Sequence, residues 1–150
     1  MTSISKPPLE GIGGWLAVLT IVQVLSTLKV LAGFAVIYQY YDPVTNTPAA
    51  DVVVFGELAL NAALFALMAA TTIAIFKRKR AFLTLLLWQW IAIPVVPLLD
   101  AALVSTAFDL PFFPLAKHLV TAQAFAPFLW TGLSVWYTQK SERVANTMVN

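Results

Sequence analysis

The stretch VVVFGELALNAALFALMAATTIAIF (Val52–Phe76) runs into KRKR (Lys77–Arg80) and on into AFLTLLLWQWIAIPVVPLLDAAL (Ala81–Leu103). Two apolar runs, each longer than the ~20 residues that cross a bilayer, are separated only by four consecutive cations. Neither run alternates with period two, and both are too long for barrel strands, so both read as helices joined by a tight turn. Working outward, Gly13–Tyr38 and Leu115–Tyr137 are apolar runs of the same length class. The expected fold is all-α: a polytopic membrane protein with four transmembrane helices in one bundle, about 13–38, 52–76, 81–103 and 115–137, and a short tail over 138–150.

Composition agrees. The 150 residues are 60% apolar and 11% charged, with mean hydropathy +0.82. Soluble domains run near 45–50% and ~25% respectively. So few charges do not cover so much apolar surface in water. A soluble domain, a disordered tail and a nucleic-acid binder are excluded. There is no cysteine, which removes thiol–disulfide chemistry and cysteine-ligated clusters. A single histidine, His118, removes bis-histidine haem ligation and two-histidine zinc or copper sites within the chain. No cofactor or metal is expected. Ser105, Asp109 and His118 fall near one another in the pattern, but nothing orders them as a catalytic triad, and no enzyme activity is expected.

Orientation follows from the cations. Of the nine Lys and Arg residues, seven (Lys6, Lys77, Arg78, Lys79, Arg80, Lys140, Arg143) fall on one side of the expected spans. The positive-inside rule makes that side cytoplasmic and places both termini there. Lys77–Arg80 also reads as a patch for lipid phosphates. Trp15, Trp136 and Tyr137 at one level, and Tyr38, Tyr40 and Tyr41 at the other, mark the two interfaces. Trp88 and Trp90 lie deeper and are expected to face helices or lipid. Asp42-Pro43 and Thr47-Pro48 read as turn signals in a loop over 39–51. Pro111 and Pro114, flanking Phe112 and Phe113, read as a short segment on the membrane surface or a binding lip. No signal peptide is expected, since the first apolar run is too long for an h-region.

Three stretches carry a family resemblance: Leu9-Glu10-Gly11-Ile12-Gly13-Gly14-Trp15-Leu16, Phe55-Gly56-Glu57-Leu58-Ala59-Leu60-Asn61, and Tyr137 to Thr147 with its Ser141-x-Arg143-Val144-x-x-Thr147 ending. In this order and spacing the chain resembles the bacterial membrane family called domain of unknown function 2569, over about Leu9 to Thr147. The resemblance implies four helices in the inner membrane and no assigned activity. Trp136 departs from the family, which often has proline before the tyrosine ending the last helix; this bears on local helix geometry there. Gly11, Gly13 and Gly14 provide either a bend into the first helix or close packing. Pro94 and Pro97 are expected to break or kink the third helix, and Pro127 the fourth.

The ionisable residues within the spans are the candidate site. Lys29, Glu57, Asp100, Lys117 and His118 all fall in the outer half by count, with Lys29 about 13 Å and Glu57 about 8 Å from a helix end. Each charge costs roughly 2.5–3.5 kcal/mol at the bilayer centre, so neutralisation is expected: Lys29 with Glu57, Asp100 with Lys117. Asn61, one turn from Glu57, joins the cluster; Gln23 and Gln89 extend a polar seam deeper. Interhelical glue and a proton or small-solute site are the two readings. His118 reads as an interface residue or a pH sensor. The function expected first is an accessory, assembly or stabilising subunit of a membrane complex, or a homo-oligomer; the alternative is a small transporter or channel using Lys29, Glu57, Asn61 and Asp100. Expected partners are the lipid bilayer and another membrane protein or a second copy, with no nucleic acid.

Overall fold

A computed structural model describes residues 11–40, 47–119 and 125–149. The described residues form helices and no strand: α1 (Trp15–Tyr40), α2 (Pro48–Phe76), α3 (Ala81–Phe108), α4 (Phe112–Leu119), α5 (Phe125–Lys140) and α6 (Glu142–Thr147). Helices satisfy their own backbone hydrogen bonds, which an apolar chain in lipid requires. Three of them, α1 to α3, are long and apolar enough to cross a membrane, which makes this a multi-pass membrane protein.

The α2–α3 turn lies where the charge pattern placed it. The Arg78 amide donates to the Ile75 carbonyl at 3.0 Å and the Lys79 amide to the Ala74 carbonyl at 2.9 Å, with Arg78 left-handed at φ 52°. This is a Schellman cap with arginine at the position that usually holds glycine. The remaining ends of these helices differ from expectation. α2 starts at Pro48 rather than near 52, because Thr47 Oγ1 accepts from the Ala50 amide at 3.3 Å and Pro48 occupies the first helical position. The Thr-Pro pair is a helix start, not a loop turn. α3 continues unbroken through Pro94 and Pro97 to Phe108 rather than stopping near 103. It ends where Asp109 turns left-handed, at φ 51°, and the Leu110 amide bonds the Ser105 carbonyl.

Of the fourth expected span the structure describes α4 and α5, and 120–124 between them lie outside the described residues. Pro127 lies within α5, two residues after its first described residue. α5 passes through Trp136 without interruption. α4 carries Phe112 and Phe113 and packs on α3. Lys6, Tyr41 and the Asp42-Pro43 turn lie outside the described residues.

The best-packed core sits at the hairpin end. Leu16 and Leu19 of α1, Ala74 and Ile75 of α2, Phe82 and Leu86 of α3, Val135 of α5, and Val144 and Met148 at α6 form one buried cluster. The expected free tail is therefore built in. Ser141 caps α6 by accepting from the Val144 amide, and Val144, Thr147 and Met148 are buried. Thr147 Oγ1 accepts from the Gly11 amide at 2.9 Å, and a Cβ at Gly13 would lie 2.6 Å from Arg143 Nη1. Gly11 and Gly14 are left-handed, at φ 82° and 57°. The two stretches that carry the family resemblance most specifically thus meet across the bundle. Both readings of the glycines hold: two of them bend the chain and one allows close packing.

Candidate functional site

α2 and α3 are antiparallel across a short turn, so residues equidistant from its centre share a level. Ile75 faces the level of Phe82, Met68 that of Gln89, Asn61 that of Val96 and Glu57 that of Asp100. Polar groups occupy two of these levels on the α2–α3 seam, separated by eleven residues of α3, about 16 Å.

At the level nearer the hairpin, Gln23 of α1 and Gln89 of α3 form a reciprocal amide pair. Gln23 Nε2 donates to Gln89 Oε1 at 2.9 Å, and Gln89 Nε2 donates to Gln23 Oε1 at 3.1 Å. Gln23 Nε2 also reaches the Met68 carbonyl of α2 at 3.3 Å. One turn on, Thr27 and Thr72 hydroxyls lie 3.1 Å apart, each also donating back to its own helix. Both glutamines are buried. This group ties three helices together with its amide hydrogen bonds satisfied internally, which is the interhelical glue expected of buried amides in lipid.

At the other level the chemistry is different. Glu57 of α2 and Asp100 of α3 come together at the same level of the seam. They line a cavity of about 40 Å³ together with Leu60, Asn61, Val96 and Pro97. Asp100 Oδ1 is buried and has no hydrogen-bond partner. Asn61 Nδ2 donates to the Glu57 backbone carbonyl at 2.8 Å. The volume suits a few waters, at ~10–15 Å³ each, and no larger organic ligand. Gly56 makes the approach possible: a side chain there would collide with Leu103 of α3.

The partners differ from those expected. Glu57 meets an acid rather than Lys29, which is exposed on α1 and does not line the cavity. Asp100 shares the cavity with Glu57; Lys117 and His118 stand exposed in the last turn of α4 and do not line it. The longer α2 and α3 also put the acids deeper than expected. Glu57 is nine residues past Pro48 and Asp100 eight residues before Phe108, about 12–14 Å from either helix end. Lys77, Arg78, Lys79 and Arg80 are all exposed at the hairpin turn. Trp90 turns inward, stacking on Phe128 with centroids 5.1 Å apart and donating from Nε1 to the Phe128 carbonyl at 3.2 Å, whereas Trp88 is exposed. Ser105 Oγ donates to the Leu110 carbonyl at 2.6 Å and so serves the α3 terminus. The Glu57–Asp100 pairing escaped the sequence reading, although the equal distances from the Lys77–Arg80 turn signal it.

Comparison with known proteins turns on one match. The profile described as Protein of unknown function (DUF2569) covers residues 9–149. The chain belongs to that family. The DUF2569 match takes in both acids, both amides and the two terminal stretches that meet at the hairpin end. No match was found among curated proteins or solved structures.

Proposed function

We propose that this DUF2569 protein is a four-span protein of the bacterial inner membrane with both termini cytoplasmic, serving as an accessory, assembly or stabilising subunit of a membrane complex or as a homo-oligomer, and not as an enzyme. The topology is supported by the hairpin-end core. α3 leads away from that core to Phe108, yet α6 packs back into it beside Leu16 and Ile75, so the chain between them returns across the bundle. The cations of the turn, Lys140 and Arg143 then share one side, as positive-inside orientation requires.

The observation that carries the accessory reading is on α2. Ala59, Ala62, Ala63, Ala66 and Ala70 stand exposed at helical spacing on one face. In lipid, apolar bulk gives helices no reason to associate, whereas a small-residue face lets a second backbone come close. The test is a pull-down from native membranes in mild detergent, read by quantitative mass spectrometry. The expected result is a stoichiometric membrane partner, or a second copy, that is lost with Ala62→Leu/Ala66→Leu. Recovery of the unaltered chain as a monomer alone overturns the reading. A second reading, a small transporter, is favoured by the carboxyl pair and its water-sized cavity. It replaces the cluster expected with Lys29 by Glu57, Asn61 and Asp100. Proteoliposome flux that is abolished by Glu57→Gln, with the fold intact, supports it.

A further inference from the structure

We propose that Glu57 and Asp100 form a proton-operated clasp between α2 and α3, closed while the pair shares one proton and opened when both carboxyls are ionised. The inference goes beyond both functional readings, because a clasp sets helix packing whether or not anything crosses the membrane. An ionised carboxylate only accepts hydrogen bonds. Two carboxyls facing one small cavity that no cation lines therefore stay together with a proton on one of them. Removing it leaves two like charges in contact, between helices whose surroundings are apolar and screen poorly.

Three neighbouring features suit a moving joint. The cavity beside the pair has room for waters that take the proton and return it, and Asp100 Oδ1 lines this region buried and unpartnered. Pro97, on the cavity wall, offers no N–H to the Ile93 carbonyl, so α3 bends there at lower cost than elsewhere. Gly56 seats Leu103 directly against the α2 backbone, so the helices pack at close range beside the pair. Among the described side chains, the other ionisable groups towards this end of the bundle are Asp51 at the start of α2, Asp109 at the end of α3, Lys29 of α1, and Lys117 and His118 of α4; none of them lines the cavity. α5 brings no titratable side chain before Tyr137, at the hairpin end.

The chain has no cysteine, so two can be added cleanly. Val52→Cys on α2 and Phe108→Cys on α3 are exposed positions at the far end of the bundle. Spin labels there, in nanodiscs, report the separation of the two helix ends by pulsed electron resonance from acidic to alkaline pH. The expected result is a shift to longer separations as pH rises, absent in Glu57→Gln/Asp100→Asn, whose amides pair without a shared proton. Infrared spectroscopy of the unlabelled protein serves as the second readout, and it stands even if the amide variant fails to fold. A protonated-carboxyl C=O band should be present at low pH and vanish over the range in which the labels separate. A label distance that ignores pH, the same shift in the folded amide variant, or no such band, overturns the clasp.

Discussion

Replacing Gln89 by leucine should cost about 2 kcal/mol, and replacing Gln23 as well should add little to the loss. The single change removes both bonds of the amide pair, at 2.9 and 3.1 Å. Side-chain hydrogen bonds in membrane bundles average ~0.6 kcal/mol each, so the two account for about 1.2 kcal/mol. Gln23 Nε2 keeps its bond to the Met68 carbonyl, but its Oε1 is stranded in a buried position. A stranded acceptor adds ~1 kcal/mol or more. In Gln23→Leu/Gln89→Leu no amide is stranded, and the Met68 carbonyl retains the Thr72 hydroxyl at 2.9 Å. The double-mutant cycle should therefore show a coupling energy of about 2–3 kcal/mol, because both singles lose the same two bonds and each strands one amide. Reversible unfolding in SDS, followed by the fluorescence of the five tryptophans, measures all three variants. Additivity within ~0.5 kcal/mol would refute the amide pair as a coupled unit and, with it, the account of how α1, α2 and α3 are held together.

Three further outcomes are expected. Gly56→Ala should destabilise by ~1–3 kcal/mol through overpacking against Leu103, and Leu103→Ala in the same chain should recover part of the loss, as seen in SDS midpoints. Arg78→Gly should raise stability by about 1 kcal/mol, because it relieves the left-handed backbone at φ 52°; an unchanged or lower midpoint contradicts the cap geometry. Thr147→Val should leave helix content unchanged by circular dichroism but loosen the Gly11 contact, so that limited proteolysis cuts within 141–149 several-fold faster than in the unaltered protein.

What could be read in advance was whatever depended on contrast between neighbours in the chain. The ends of α2 at Phe76 and α3 at Ala81 were legible to the residue, because cations interrupt an apolar run there. The far ends were less legible, since Thr47-Pro48 has the same composition whether it turns a loop or starts a helix. Ser105 and Thr106 likewise look like loop residues until their hydroxyls are seen bonding nearby carbonyls. The fourth apolar segment holds the amphipathic α4 and then α5, on either side of 120–124, which lie outside the described residues. Glu57, Asn61 and Asp100 stood out as ionisable or polar groups within spans. Their arrangement did not, because matching opposite charges is a sound rule for ionised groups, and a shared proton removes the need for it.

The Gly11–Thr147 contact joins positions 136 residues apart, and this orders events during synthesis. At ~5–20 residues per second, the amino-terminal glycines wait roughly 7–27 s for their partner to be made. Until α6 has left the ribosome, Leu16, Ile75 and Phe82 lack its cover. A chain cut short before α6 would insert its apolar helices and still present an uncapped greasy end to quality-control proteases. α6 thus acts as a late latch, added only after the helices it covers have been made.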